Sequence, residues 1–130
     1  MTWNATKNQP IHLIIEDNVI RDQLIKLLDD LTDEVKAFET VDAFLSEPLH
    51  KAPACLITEI QLSNFDGITL IKKLREHGLS TPVVVLADCE ENVNKAVQAI
   101  QAGAADFIEK PIIERDFLER VQVVIEKDGF

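Results

Sequence analysis

Only four glycines occur in this 130-residue chain, and none falls in a GxGxxG or GxxxxGKS/T pattern. The chain therefore has no loop built to cradle a dinucleotide or nucleoside triphosphate, which counts against a small flavodoxin-like nucleotide or cofactor binder. The two cysteines, Cys55 and Cys89, have no CxxC spacing and no basic neighbour to lower a thiol pKa. They read as small hydrophobes in a reducing compartment, neither a disulfide framework nor a nucleophile. His12, His50 and His77 are dispersed and form no ligand cluster, which argues against a metalloenzyme. No apolar run approaches the roughly 20 residues that span a bilayer, and the opening MTWNATKNQP contains no signal-type segment. These absences lead to the expectation of a cytoplasmic protein without membrane contact. A formal net charge of −10 leaves little positive charge for a direct grip on nucleic acid phosphates and favours cations or basic partners.

What is present is a regular alternation. Five short apolar runs, IHLII (11–15), EVKAF (34–38), ACLIT (54–58), PVVVLA (82–87) and ADFIE (105–109), each precede a segment with helical spacing. The helical faces expected are Leu24, Ile25, Leu27 and Leu28; Val41, Phe44 and Leu45; Ile68, Leu70, Ile71 and Leu74; Val93, Val97 and Ile100; and Phe117, Leu118, Val121, Val124 and Ile125. Thr40 has the position of an N-cap. Runs that are apolar throughout suit strands buried on both faces of a parallel sheet. Five βα units predict an α/β fold with a doubly wound five-stranded parallel sheet of flavodoxin-like type. Pro48, Pro53, Gly78, Pro82 and Gly103 punctuate the scheme where it needs breaks. With 46% hydrophobic and 28% charged residues, the chain is sized and composed for one globular domain. It is expected over 11–127, between a tail at 1–10 and a tail at 128–130 that could begin a linker to an output domain.

In such sheets the binding crevice lies at the carboxyl ends of the strands. That rule collects Glu16 and Asp17 after the first strand, Glu59 after the third, Ala87 and Asp88 after the fourth, and Lys110-Pro111 after the fifth. Carboxylates brought together repel unless a cation intervenes, so a converged cluster needs Lys110, a divalent metal, or both. The plainer alternative is a set of acids scattered over solvated loop starts.

The pieces HLIIEDN, CLITEIQLSNFDGITLIKKLRE, TPVVVLAD and AIQAGAADFIEKPI, in that order, resemble the response-regulator receiver domain of two-component signalling over residues 11–127. The resemblance places Glu59 where the family has its phosphoacceptor aspartate. It implies a weak Mg²⁺ site, or none, from Glu16, Asp17 and the backbone of Gln61. It also implies a site-closing Lys110 followed by a cis Pro111, and switch positions at Ala87, which has no hydroxyl, and Phe107. The acidic pair aligns in two ways: one uses Glu16 and Asp17, and the other puts Ile15 in the first acid's place with Glu16 as the second.

Phosphoryl transfer to a carboxylate depends on placement, where an error of about 1 Å costs roughly a hundredfold. Glutamate in place of aspartate lengthens the arm by about 1.5 Å, and Ala87 removes a donor to the phosphoryl group. The combination predicts a pseudo-receiver that is not an enzyme, held in one state by a Glu59–Lys110 ion pair. The rival reading is a Mg-dependent receiver with an unusual acceptor. The resemblance further implies protein partners through the fourth helix, fifth strand and fifth helix, with Lys95, Gln98, Asp106 and Arg115 as contacts. It extends to a homodimer through that face, an upstream histidine kinase, and transcription regulation through a fused or separate output domain, without direct nucleic acid binding by this domain.

Overall fold

The computed structural model describes residues 9–46, 53–63, 65–88 and 93–128. Residues 1–8 and 129–130, together with Pro48, His50 and Cys89, lie outside these, as do the side chains of Val93 and Asp128. Five parallel strands, β1 (Ile11–Ile14), β2 (Val35–Phe38), β3 (Cys55–Glu59), β4 (Val83–Ala87) and β5 (Asp106–Glu109), form one sheet in the order β2-β1-β3-β4-β5. The chain order reverses between β1 and β3, the switch point at which doubly wound sheets open a crevice. Five helices alternate with the strands: α1 (Asn18–Leu28), α2 (Val41–Ser46), α3 (Gly67–Glu76), α4 (Val93–Ala102) and α5 (Glu114–Asp128).

The uninterrupted apolar runs have a direct structural cause. Ile11, Leu13, Cys55, Ile57, Val84, Leu86 and Ile108 face one core cluster with Leu24, Leu28, Phe117, Val121, Val124 and Ile125 of α1 and α5. Their neighbours Ile14, Leu56, Val83, Val85 and Ala87 face the opposite cluster, with Val41, Phe44, Leu70, Ile71, Leu74 and Ala99 of α2, α3 and α4. Successive strand side chains point to opposite faces, and both faces are covered by helices, so no strand position in the sheet centre can be polar cheaply.

Three of the expected helical faces need correction, at four residues. Ile25 is 37% exposed, Leu45 50%, and Val97 and Ile100 are 47% and 50%. In α4 the residue against the sheet is Ala99, with Ala96 and Ala102 half-buried. Small side chains let the helix approach the sheet closely, and the bulkier Val97 and Ile100 are rotated outward. Thr40 does cap α2, its hydroxyl accepting the Ala43 N–H at 3.0 Å. Gly78 (φ 77°) and Gly103 (φ 114°) close α3 and α4 in the left-handed region. Gln9 and Pro10 are tied to the sheet end: Pro10 accepts the Ala54 N–H at 2.8 Å and Gln9 accepts the Thr32 hydroxyl at 2.8 Å.

Between β3 and α3, Gln61–Leu62 and Phe65–Asp66 pair as a two-residue antiparallel ladder. The chain then returns so closely that the Gly67 N–H donates to the Ile60 carbonyl at 2.7 Å. A Cβ on Gly67 would lie 2.9 Å from the Glu59 carbonyl oxygen and 3.2 Å from the Ile60 Cα, both backbone atoms. Gly67→Ala is therefore expected to cost about 1–2 kcal/mol of unfolding free energy, measured by urea denaturation, because the loop must shift. An unchanged midpoint would mean that the loop yields freely.

Candidate functional site

Glu59 ends β3 in the sheet centre, paired in register with Leu86 of β4 and only 8% exposed. A buried carboxylate requires donors, and it has two. Its Oε2 accepts from the Lys110 Nζ at 2.9 Å, and its Oε1 accepts the backbone N–H of Glu16 at 2.7 Å. One carboxylate thus ties together the carboxyl ends of β1, β3 and β5.

Lys110 is placed by the β4–β5 pairing, its N–H donating to the Ala87 carbonyl at 2.8 Å, and the Lys110-Pro111 bond is cis. Burial works against the Lys110 ammonium. The hydrogen bond and charge of Glu59, with Asp88 adding its own, outweigh that penalty and raise the pKa above the ordinary 10.5. Asp88 Oδ1 is 3.5 Å from Nζ on a side chain 71% exposed, a minor partner beside Glu59. Ala87 is buried at 1% exposure, its methyl group part of the core cluster under α2, α3 and α4.

The two acids after β1 separate. Ile15 is fully buried in the core. The Asp17 carboxylate caps α1, Oδ1 accepting the N–H groups of Val19 at 2.8 Å and Ile20 at 3.2 Å. The Glu16 carboxylate crosses to the β3–α3 loop, where it accepts the Ser63 N–H at 2.9 and 3.0 Å and the Ser63 hydroxyl at 3.1 Å. Arg21 fixes the turn between β1 and α1 by donating to the Ile15 carbonyl at 2.9 Å. Gln61 is exposed and paired with Asp66 in the short ladder.

The Mg²⁺ site that the resemblance implies would need carboxylate oxygens converging on one point. The donor set does not fit it. The three carboxylates diverge to separate partners: Glu59 to Lys110 and the Glu16 N–H, Glu16 to Ser63, and Asp17 to the first turn of α1. Among the described residues no group of three or more His, Cys, Asp or Glu side chains is arranged to hold a metal ion.

The face of α4, β5 and α5 is partly knit to itself. Asp106 receives a two-pronged pair from Arg120, Nε to Oδ2 at 2.9 Å and Nη2 to Oδ1 at 2.8 Å, and Nη2 also donates to the Phe107 carbonyl at 3.0 Å. The Asp106 hydrogen bond, ahead of the cost of burial, raises the Arg120 pKa above its ordinary value, and Asp116 adds to it. Phe107 is half-buried against the cluster beneath α3 and α4. Lys95 is half-buried, Gln98 is exposed, and Arg115 is exposed beside Glu119 at 3.3 Å. Val97, Ile100 and Val123 (60% exposed) leave apolar surface on α4 and α5.

Ser63 and Arg120 are the working residues that the sequence did not reveal. Arg120 flanks the Phe117–Val121–Val124 stripe, the one legible sign that it could reach the sheet edge. Ser63 carries no such sign, since a serine in a polar loop resembles any other.

Comparison with known proteins gives one consistent result. The response regulator receiver domain profile matches residues 11–122. The chain is 30% identical to the response regulator protein TmoT of Ectopseudomonas mendocina over 88% of its own length and 52% of that protein. It is likewise 30% identical to the transcriptional regulatory protein FixJ of Azorhizobium caulinodans, over 87% of this chain and 53% of that one. The chain therefore spans about half the length of these relatives. Among solved structures, a response regulator receiver protein from Pseudoalteromonas atlantica superposes with a TM-score of 0.82 at 31% identity, covering 92% of this chain and 98% of that one.

Proposed function

The chain belongs to the response regulator receiver domain family, and from that premise we propose that it is a phosphorylation-independent receiver, a pseudo-receiver with Glu59 at the phosphoacceptor position. The observation that carries this reading is the state of the Glu59 carboxylate. Both of its oxygens are engaged, one by an ammonium and one by a peptide N–H, so neither is presented as a nucleophile. The Lys110 charge that would stabilise an incoming phosphoryl group is already matched by Glu59. Ala87 has no hydroxyl to donate to such a group.

The domain then serves as a fixed interaction module in two-component signalling. Its partner surface is the α4–β5–α5 face, where Val97, Ile100 and Val123 supply apolar contact and Gln98, Lys95 and Arg115 supply polar contact. The Asp106–Arg120 pair braces that face. Receiver domains work with histidine kinases and dimerise, and in this reading dimerisation or output-domain contact persists while the kinase's phosphoryl group is not accepted. The working unit is residues 11–127, and a transcription-regulating output domain, fused or separate, reads its state in the cytoplasm.

Intact-mass spectrometry after incubation with Mg²⁺ and acetyl phosphate tests the reading. The wild-type chain is expected to gain no phosphoryl mass. A gain by Glu59→Asp alone would assign the block to the longer arm of Glu59. A wild-type adduct that disappears in Glu59→Gln would overturn the proposal in favour of a working switch with a glutamyl acceptor.

A further inference from the structure

We infer that Glu16 is a hydrogen-bond latch: its carboxylate holds the β3–α3 loop shut through Ser63, in an arrangement that excludes a divalent cation from the same oxygens. This rests on the reading of the site as phosphorylation-independent and adds to it a device that keeps the loop in one conformation.

Three observations converge on Glu16. Its carboxylate accepts from Ser63 three times, twice from the N–H and once from the hydroxyl, at 2.9–3.1 Å across a sequence separation of 47. Its own backbone N–H donates to Glu59 Oε1 at 2.7 Å. The β3–α3 loop that it grips is closed at its base by the Gly67-to-Ile60 hydrogen bond at 2.7 Å and by the Gln61–Asp66 and Leu62–Phe65 pairs. Glu16 is thus the joint between the Glu59–Lys110 pair and the loop, which is fastened at its base and at Ser63.

Charge-assisted hydrogen bonds from a peptide N–H to a carboxylate are directional and short. Ser63 takes three of the roughly four lone-pair sites of this carboxylate, two on Oε1 and one on Oε2. A divalent cation, which needs oxygen ligands close around it, could use both oxygens of Glu16 only by displacing Ser63. Reach explains the residue type: an aspartate at position 16 would fall short of Ser63 by about one C–C bond, 1.5 Å. The extra methylene of Glu16, like that of Glu59, is used to reach a protein donor.

Amide hydrogen exchange read by NMR on the whole chain tests the latch. In Glu16→Ala the Ser63 amide is expected to exchange at least about tenfold faster, while the Leu56 amide in β3 keeps its rate. Glu16→Asp retains the charge and shortens the arm, so it should accelerate Ser63 comparably, and it supplies the result should Glu16→Ala fail to fold. Adding about 10 mM Mg²⁺ to the wild type is expected to leave the Glu16 and Ser63 amide resonances in place. An unchanged Ser63 rate in both variants, or a saturable Mg²⁺ shift at these two amides, would overturn the latch. The acetyl phosphate experiment reads the functional proposal separately. A wild-type adduct with Ser63 still protected sinks that proposal alone, and a Mg²⁺ shift without an adduct sinks the latch alone.

Discussion

Lys110→Met is expected to lower the unfolding free energy by about 2–3 kcal/mol, through the loss of the only ammonium bonded to the buried Glu59 carboxylate among the described residues. Glu59 is 8% exposed and its Oε2 accepts from Lys110 at 2.9 Å. Removing one partner of a fully buried pair costs about 3–5 kcal/mol, and the Lys110 side chain keeps 20% of its surface in solvent, which sets the lower figure. Glu59→Gln with Lys110→Met should be more stable than Lys110→Met alone, since the uncompensated charge is then gone. Urea denaturation of the two variants measures both effects. A Lys110→Met midpoint equal to wild type would mean that the pair is screened by solvent and locks nothing.

The same pair predicts a pH dependence. The folded-state pKa of Lys110 is raised above 10.5, so the folded state holds this proton more tightly than the unfolded chain does. Its stabilisation is fully present below the unfolded pKa of about 10.5 and is lost as pH rises through the folded value. Between neutral pH and pH 9 this pair should contribute no slope; a decline should begin only above about 10. In Lys110→Met that alkaline component should vanish.

Phe117→Ala should have the larger effect, about 3–5 kcal/mol, because a fully buried aromatic leaves a cavity that its neighbours fill only in part. Phe117 is 0% exposed in the cluster of Ile11, Leu13 and Ile108, and its N–H donates to the Ile113 carbonyl at 2.8 Å at the start of α5. Domains of this size are stable by only about 5–15 kcal/mol, so one substitution consumes a large part of the margin. Its consequence for the proposed partner face is indirect: α5 also presents Arg120, whose two bonds to Asp106 brace the start of β5. Thermal unfolding by circular dichroism should show a lowered Tm, and Phe117→Leu should cost about 1–2 kcal/mol. If Phe117→Ala leaves the Tm within about a degree of wild type, Phe117 does not anchor α5.

The sheet was legible because burial on both faces imposes its own pattern. Apolar runs at IHLII, ACLIT and PVVVLA mark the three central strands, while EVKAF and ADFIE carry charges because they form the sheet edges, and each run fell within about one residue of its strand. The helices were less legible. Apolar spacing marks a face, but two flanking rows can both be apolar, and in α4 the sheet selected alanine and turned Val97 and Ile100 outward.

For the site, sequence order alone placed Glu16, Glu59, Ala87 and Lys110 at one rim, since strand ends in a parallel sheet must converge. The Glu59–Lys110 pair could be anticipated from opposite charges at strand ends on one rim, but the directions of Glu16 and Asp17 were not in the sequence. Glu16 and Asp17 are adjacent, yet one crosses to Ser63 and the other caps its own helix. That choice depends on donors brought close only by folding, from a loop 47 residues away. Composition and periodicity determined the architecture and the membership of the rim; the tertiary structure decided which oxygen meets which hydrogen, because a hydrogen bond is made at about 3 Å, a scale that strand order does not specify.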